Sequence, residues 1–182
     1  MKYKKIILFI CLLSLIPASA QQEIEGREDP NEREQEKRHS LSFVFGYTHI
    51  PGAKQDGKTE EDVFLPTLGL DYLYEFRKKW FIGAAFDVEL GKYEIDYEDD
   101  EISREIAVVF SGLVGYDVLP GWAVLAGPGI ELEKNKNIFV FRFSTEYTFE
   151  LGNDWGIYPN FTYDFKKEYG SFELGVGLKK RF

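Results

Sequence analysis

The sequence contains one cysteine among its 182 residues, Cys11, which lies inside a short N-terminal apolar run. Lysines precede this run, and the small residues Ala18, Ser19 and Ala20 follow it, a pattern typical of a secretory signal peptide. The run is shorter than the roughly 20 apolar residues that a membrane-spanning helix requires. Large apolar residues directly before Cys11 disfavour the alternative of a lipoprotein. We therefore predict a signal peptide at residues 1–20 and an exported chain without disulfides or thiol chemistry.

Residues 21–39 contain almost no apolar side chains, and Ile24 is the only sizeable one. Most of the other positions are charged. Such a segment cannot bury enough apolar surface to offset the entropy that it would lose on ordering. We predict that residues 21–39 form a disordered, charged periplasmic leader.

The chain has few of the residues on which catalysis and nucleic-acid binding depend. Of its two histidines, only His49 lies within residues 40–182, and no serine nucleophile is close to it in sequence. A histidine at the end of a strand is expected to be a hydrated surface group. Phosphate-binding glycine motifs and Cys/His metal clusters are absent from the sequence, and a net charge of −9 without a basic stripe argues against nucleic-acid binding. We predict a protein that is not an enzyme and has no cofactor or metal.

From Ser40 onward the sequence is rich in aromatic residues and glycine, and apolar side chains recur with a period of two. This alternation continues through about eight segments, each near the ten residues that a tilted membrane strand needs. Short turns alternate with generally longer loops, as in bacterial transmembrane barrels, which places both ends of the barrel on the periplasmic side. The turns are 77–79, 119–121 and 152–154, and the two long charged loops are 51–62 and 91–103.

The last segment shows the alternation most clearly. Every second position is apolar and the chain ends on an aromatic residue, the set being Phe172, Leu174, Val176, Leu178 and Phe182. The intervening side chains are small or polar, and Lys180 departs from the pattern because it stands at an apolar position. This closing strand resembles the assembly signal of Gram-negative outer-membrane β-barrel proteins.

Residues 40–182 as a whole resemble the small outer-membrane β-barrel domains of the OmpA/OmpX-like porin family. The resemblance implies an all-β fold, an eight-stranded antiparallel up-and-down transmembrane barrel in the cell outer membrane. It also implies insertion by the barrel assembly machinery and contact with outer-membrane lipid and lipopolysaccharide. We expect a monomer.

Three tryptophans each follow a short turn and begin a segment. All three would lie at one membrane interface, where an amphipathic indole is favoured, with tyrosines of neighbouring strands at the same level. The alternative is that tryptophan simply begins hydrophobic strands in any β protein. The predicted interface girdle consists of Trp80, Trp122, Trp155, Tyr74, Tyr116 and Tyr147.

About eight strands enclose an interior only wide enough for side chains to fill it. Charged side chains in such a confined space must pair or be hydrated. The predicted lumen charge network comprises Asp71, Asp87, Glu89, Glu131, Arg142, Glu146 and Glu173, with Glu75, Glu105, Lys179 and Arg181 as further inward-facing charges.

Proline lacks the N–H that a β-ladder uses, and a closed barrel has no free edge to accommodate it. We therefore predict local bulges at Pro66, Pro128 and Pro159, with glycines at 127 and 129 easing the second.

The sequence predicts an integral outer-membrane protein with a structural or surface-interaction role and a lumen filled by side chains. One alternative is a narrow channel for small or hydrophobic solutes, gated by Arg142 as it exchanges glutamate partners. Another is a secreted soluble β-barrel that binds a ligand, which would need an apolar interior and a polar exterior. The acidic loop 91–103 lacks an EF-hand pattern, so we expect a solvated tip rather than a Ca²⁺ or Mg²⁺ site.

Overall fold

A computed structural model describes residues 38–54, 62–97, 100–134, 136–167 and 169–182. The predicted signal peptide, nearly all of the leader, most of the loop 51–62 and residues 98–99 lie outside the described residues. The prediction of a long loop at 91–103 is wrong, because residues 91–97 and 100–103 extend β3 and β4 as a paired hairpin. The strands are β1 (His39–Ile50), β2 (Val63–Arg77), β3 (Trp80–Tyr97), β4 (Asp100–Leu119), β5 (Trp122–Leu132), β6 (Ile138–Tyr147), β7 (Phe149–Gly152), β8 (Trp155–Lys166) and β9 (Gly170–Arg181). Within the described ranges, no helix is long and apolar enough to cross a membrane.

Each strand pairs antiparallel with its neighbours, and β1 pairs with β9 to close the sheet into a barrel. Strands β6 and β7 both pair with β8, and only Thr148 separates them in the chain. Together they therefore occupy one strand position in the barrel wall. The nine strands therefore make an eight-stranded up-and-down barrel, which confirms the predicted fold. The first strand begins at His39, one residue before the predicted start of the barrel domain.

The three short turns and both ends of the barrel lie at the same end of the structure. Lys79, Gly121 and Asn153 occupy the turns with φ angles of 70°, 78° and 50°, in the left-handed region where glycine and asparagine are favoured. The backbone N–H of His39 donates to the carbonyl of Phe182 at 3.1 Å, and that of Phe182 donates back at 2.9 Å. We call this the periplasmic end and the opposite end extracellular, following the barrel pattern of short periplasmic turns.

The barrel wall is apolar outside and largely polar inside. Phe43 and Leu174 expose 55% and 61% of their surface to the outside, whereas the inward-facing Asp87 and Glu173 expose only 4% and 6%. This arrangement suits a wall between lipid and a narrow lumen. A soluble ligand-binding barrel would need the opposite arrangement, so the structure argues against that alternative.

Two apolar clusters also lie inside the barrel. The extracellular plug closes the upper lumen and consists of Ile50, Ala53, Val63, Leu65, Tyr93, Ile95 and Ile138. The lower cluster lines part of the periplasmic half and consists of Leu73, Ala85, Leu113, Ala123 and Leu125. The interior is thus layered, with charged groups between apolar ones.

The predicted bulges at Pro128 and Pro159 are wrong. Pro128 pairs with β6 where two β4–β5 pairs are missing, and Pro159 pairs with β9 opposite the β6–β7 break. The register is the same on both sides of each gap, so neither strand gains a residue and the missing donor is accommodated without a bulge. Pro66 pairs with β1 just beyond the end of the β2–β3 ladder, next to the part of β3 that shifts register against β4 between Glu89 and Lys92.

Candidate functional site

The centre of the lumen is occupied by the guanidinium of Arg142, which projects inward from β6 and is 4% exposed. Its Nε and Nη2 donate to the two carboxylate oxygens of Asp164 at 2.7 and 2.8 Å, and its Nη1 donates to Asp87. A planar guanidinium suits such two-pronged binding of a carboxylate. The central layer therefore ties β3, β6 and β8 together across the barrel.

Two further carboxylates border this layer. Glu173 from β9 and Asp71 from β2 line the same small cavity as Arg142, and the Tyr158 hydroxyl donates to Asp71 at 3.3 Å. The cavity has a volume of about 30 Å³, which leaves room for about one water molecule. Acidic groups thus outnumber the single guanidinium in the central layer.

A second charged layer lies nearer the extracellular end, around the fully buried carboxylate of Glu131. Arg104 donates to it, the ammonium of Lys166 lies 2.5 Å from Oε2, and the Tyr169 hydroxyl is 3.0 Å from both oxygens. Burial raises the pKa of the Tyr169 phenol above its usual range, so the hydroxyl stays a neutral donor. One carboxylate therefore holds side chains from β4, β8 and the β8–β9 loop.

Tyr93 extends this extracellular layer towards β3. Its hydroxyl donates to Glu89 at 3.1 Å and lies 3.5 Å from Glu131. Its ring belongs to the extracellular plug. The charged layer and the apolar plug are therefore built in part from the same side chain.

The third charged layer lies at the periplasmic mouth. Lys179 pairs with Glu146, and its ammonium stands 4.6 Å from the centroid of the Tyr158 ring. Arg181 bonds Glu150 at 2.9 Å near the surface. A cavity of about 50 Å³ opens here, and the central and periplasmic cavities share Leu73 and Glu146 in their walls.

Sequence reasoning placed Glu105 in the lumen, and that prediction is wrong. Ile106 has a φ of 55°, and this kink leaves Glu105 and Ile106 both facing outward while Arg104 turns inward. The opposing strand also shifts register between Glu89 and Lys92. Arg104 was missed because the local conformation, rather than the residue pattern, decides which side chain enters the barrel.

Asp164 and Lys166 were also left out of the predicted network, although alternation in β8 places both on the inner face. For Asp164 the signal is present in the sequence, since Asp164 alternates with the apolar residues Tyr163 and Phe165 and so falls on the polar face of its segment. All seven residues of the predicted network line the lumen. Asp71 is half-buried, and the other six are more deeply buried: Asp87, Glu89, Glu131, Arg142, Glu146 and Glu173. Glu75 is half-buried at the periplasmic end, where it accepts a hydrogen bond from the Lys79 N–H at 3.1 Å.

The aromatic residues singled out from the sequence lie on the outer wall at the periplasmic end. Trp80 packs 4.8 Å from Tyr116 between ring centroids, and the indole N–H of Trp122 donates to the Thr145 hydroxyl at 2.7 Å. All three tryptophans are between 41% and 44% exposed. Tyr147 is likewise exposed beside Trp122, and Tyr74 lies 4.9 Å from the His39 ring.

The side chain of Lys180 lies on the outer face of β9, near the periplasmic end of the strand and away from its apolar middle. Its ammonium donates to the Asn153 carbonyl at 2.5 Å, lies 3.7 Å from Asp154 and stands 5.2 Å above the Trp155 ring. The long side chain thus places its charge on the periplasmic turn. The outward residues of that strand are Phe172, Leu174, Val176 and Leu178, and Phe182 follows it at the periplasmic end.

No group of three or more histidine, aspartate, glutamate or cysteine side chains within the described ranges could hold a metal ion. The tip of the acidic loop 91–103 lies outside the residues whose side chains the structure describes. Within the described ranges, the interior contains three ion-paired layers, two apolar clusters and the two small cavities named above.

No protein-family model matches the chain, and no curated protein matches it. Solved structures similar to it include the N-terminal β-barrel domain of OprF from Pseudomonas aeruginosa, with 10% identity over 80% of this chain and 98% of that one and a TM-score of 0.55. OprG from the same organism has 12% identity over 79% and 96% of the two chains and a TM-score of 0.51. Neisserial surface protein A has 10% identity over 79% and 97% and a TM-score of 0.50. The chain is therefore an eight-stranded β-barrel with the fold of the small Gram-negative outer-membrane barrels.

Proposed function

We propose that this protein is a non-conducting barrel of the outer membrane with a structural or surface-interaction role. The observation that carries the proposal is the central layer of Arg142, Asp87 and Asp164, which spans the lumen. The cavity beside it, of about 30 Å³, and the one at the periplasmic mouth, of about 50 Å³, have room for a few water molecules rather than for a column of water. A barrel filled in this way offers its outer surface and loops, not its lumen, for function.

The extracellular plug supports the same proposal. On the extracellular side of the Glu131 layer lie Ile50, Val63 and Ile138, each no more than 2% exposed. Below the plug a solute would have to separate Glu131 from its donors and then Arg142 from its carboxylates. Separating buried ion pairs leaves uncompensated charges, which is strongly unfavourable.

The proposal includes that the protein is not an enzyme. Catalysis by His49 would need a nucleophile or a reacting hydroxyl within hydrogen-bond reach. The described neighbours of its ring are instead Phe64, Phe172 and Asp62. This environment suits packing rather than acyl transfer.

The partners follow from the outer wall. The apolar belt fits the acyl chains of outer-membrane lipid, including lipopolysaccharide in the outer leaflet. The apolar outward positions of β9, together with the C-terminal phenylalanine, fit insertion by the barrel assembly machinery. We propose a monomer, since the β1–β9 seam is paired along its length and closes the barrel within one chain.

The narrow-channel alternative has one observation in its favour. Glu173 and Asp71 line the same cavity as Arg142, so the guanidinium has further carboxylates within its layer. An exchange of partners there would be the simplest way to open the lumen.

Single-channel recording in planar bilayers tests the proposed function. Wild-type protein, Arg142→Ala and the surface control Arg181→Gln would be compared at equal insertion, with a known channel-forming barrel as positive control. We expect no resolvable channels from the wild type or from Arg181→Gln. A discrete wild-type conductance that changes in Arg142→Ala would overturn the proposal in favour of the gated channel.

A further inference from the structure

His49 has an unexpected environment at the extracellular rim. Its side chain points outward from β1, and its cross-strand neighbours on both sides are phenylalanines, Phe64 on β2 and Phe172 on β9. Their ring centroids lie 4.3 and 4.6 Å from that of the imidazole. Only 12% of the His49 side chain is exposed, so the hydrated rim histidine expected from the sequence is not what the structure shows.

Both ring nitrogens of His49 are buried and lack a hydrogen-bond partner among the described residues. A neutral imidazole has one donor and one acceptor, and leaving either unpaired when buried is unfavourable. Among the described residues, Oδ2 of the Asp62 carboxylate lies 3.6 Å from Nε2, just beyond hydrogen-bond distance. Asp62 immediately precedes β2 and is 63% exposed, so it is free to move the remaining distance.

We propose that His49 and Asp62 form a proton-dependent tie at the extracellular rim. When the imidazole takes up a proton from solvent, Nε2–H donates to the Asp62 carboxylate and fastens the start of β2 to β1. The two phenyl rings favour the same state, because aromatic faces attract cations. Release of the proton removes the positive charge from the imidazole, so the tie to the Asp62 carboxylate weakens.

The tie depends on pH because only the protonated imidazole carries the positive charge that the Asp62 carboxylate attracts. Among the described residues around His49, β2 contributes the Asp62 carboxylate and β9 contributes Phe172 and Leu174. Tyr163 of β8, paired with Phe172, is the titratable group on the next strand. Glu173 lies on the inner face of the wall. The proposal holds whether or not the lumen conducts.

A double-mutant cycle tests the proposal with the full barrel refolded in detergent micelles. The variants are His49→Gln, Asp62→Asn and the double substitution, each unfolded in urea at pH 5 and at pH 8. We expect a coupling of about two- to fivefold in the unfolding equilibrium constant at pH 5, the range of exposed ion pairs, and a smaller coupling at pH 8. Equal coupling at both pH values, or none at pH 5, would overturn the proposal.

Imidazole NMR gives a second readout that does not depend on the folding of the His49 variant. The chain has only two histidines, and His39 bonds the Tyr72 hydroxyl at 2.6 Å at the other end of the barrel, so it serves as an internal control. Asp62→Asn should shift the His49 resonances at pH 5 and leave those of His39 unchanged. If the His49 resonances at pH 5 are the same in both proteins, the tie does not form.

Discussion

At the scale of the residue, the charged lumen depends on whether each buried group has a partner. Arg142 uses three of its nitrogens on Asp87 and Asp164, whereas Arg181 meets Glu150 near the surface. Removing one member of a buried pair leaves a charge without compensation, while an exposed pair is screened by water. The two arginines are therefore expected to contribute differently to the stability of the barrel.

We expect Arg142→Met to lower the free energy of unfolding by about 3–5 kcal/mol, because two buried carboxylates lose their counter-charge. The matched control Arg181→Gln should cost about 1 kcal/mol or less. Urea unfolding of the refolded barrels, followed by tryptophan fluorescence, measures both. Equal costs for the two variants would mean that the central layer is hydrated rather than closed.

The sequence revealed which side chains face the lumen but not which of them meet. Alternation alone places Asp87 and Arg142 on the inner face, since it assigns every second residue of a strand. The pairing of Arg142 with Asp87 also depends on the stagger between β3 and β6, which are not adjacent in the wall. The period of one strand carries no information about that stagger.

At the scale of the element, glycines set how closely neighbouring strands approach. A Cβ added to Gly127 would lie 1.9 Å from the carbonyl oxygen of Gly112, and backbone cannot yield easily. Gly112 itself, on the facing strand, has open space where a Cβ would be added. Substitution of Gly127 therefore tests the close approach of β4 and β5, and substitution of Gly112 is the matched control.

We expect Gly127→Ala to reduce the folded yield or the stability of the barrel, because β5 must move away from β4. Gly112→Ala should leave both nearly unchanged. Heat-modifiable migration on gels, which separates folded from unfolded barrel, gives the folded fraction of each variant. Equal folded fractions for the two substitutions would show that the strands are not in close approach at Gly127.

Ile106 has an unusual backbone conformation within β4. Its φ of 55° is unfavourable for a β-branched residue, and this kink turns Arg104 into the lumen. Such a conformation costs roughly 1–2 kcal/mol in an L-residue and little in glycine. The kink could not be predicted from the sequence, because isoleucine normally favours a regular strand.

We therefore expect Ile106→Gly to destabilise the barrel by about 1–2 kcal/mol less than Ile130→Gly, an outward isoleucine without positive φ. Both substitutions remove an outward-facing isoleucine side chain, so the difference between the two losses of stability reports the backbone strain at Ile106. Equilibrium unfolding in urea provides the comparison. An equal or larger loss for Ile106→Gly would exclude backbone strain at this position.

At the scale of the whole molecule, the fold was predictable because the alternation of apolar and polar side chains repeats in strands all around the barrel. Lipid outside and a narrow lumen inside require alternation in every strand, and the short turns fix the order of the strands. The extracellular plug was not predicted, since Ile50, Val63 and Ile138 fall where alternation calls for polar residues. Their placement follows from the layered interior, in which an apolar cap covers the charged network.

The most direct test of the account is which face of the wall meets lipid. Residues 21–182 contain no native cysteine, so single nitroxide labels can be placed along β3 and their collisions with oxygen measured in bilayers. We predict high oxygen accessibility at Ile82 and Phe86 and low accessibility at Ala85 and Asp87. The reverse pattern, or no alternation at all, would contradict the account.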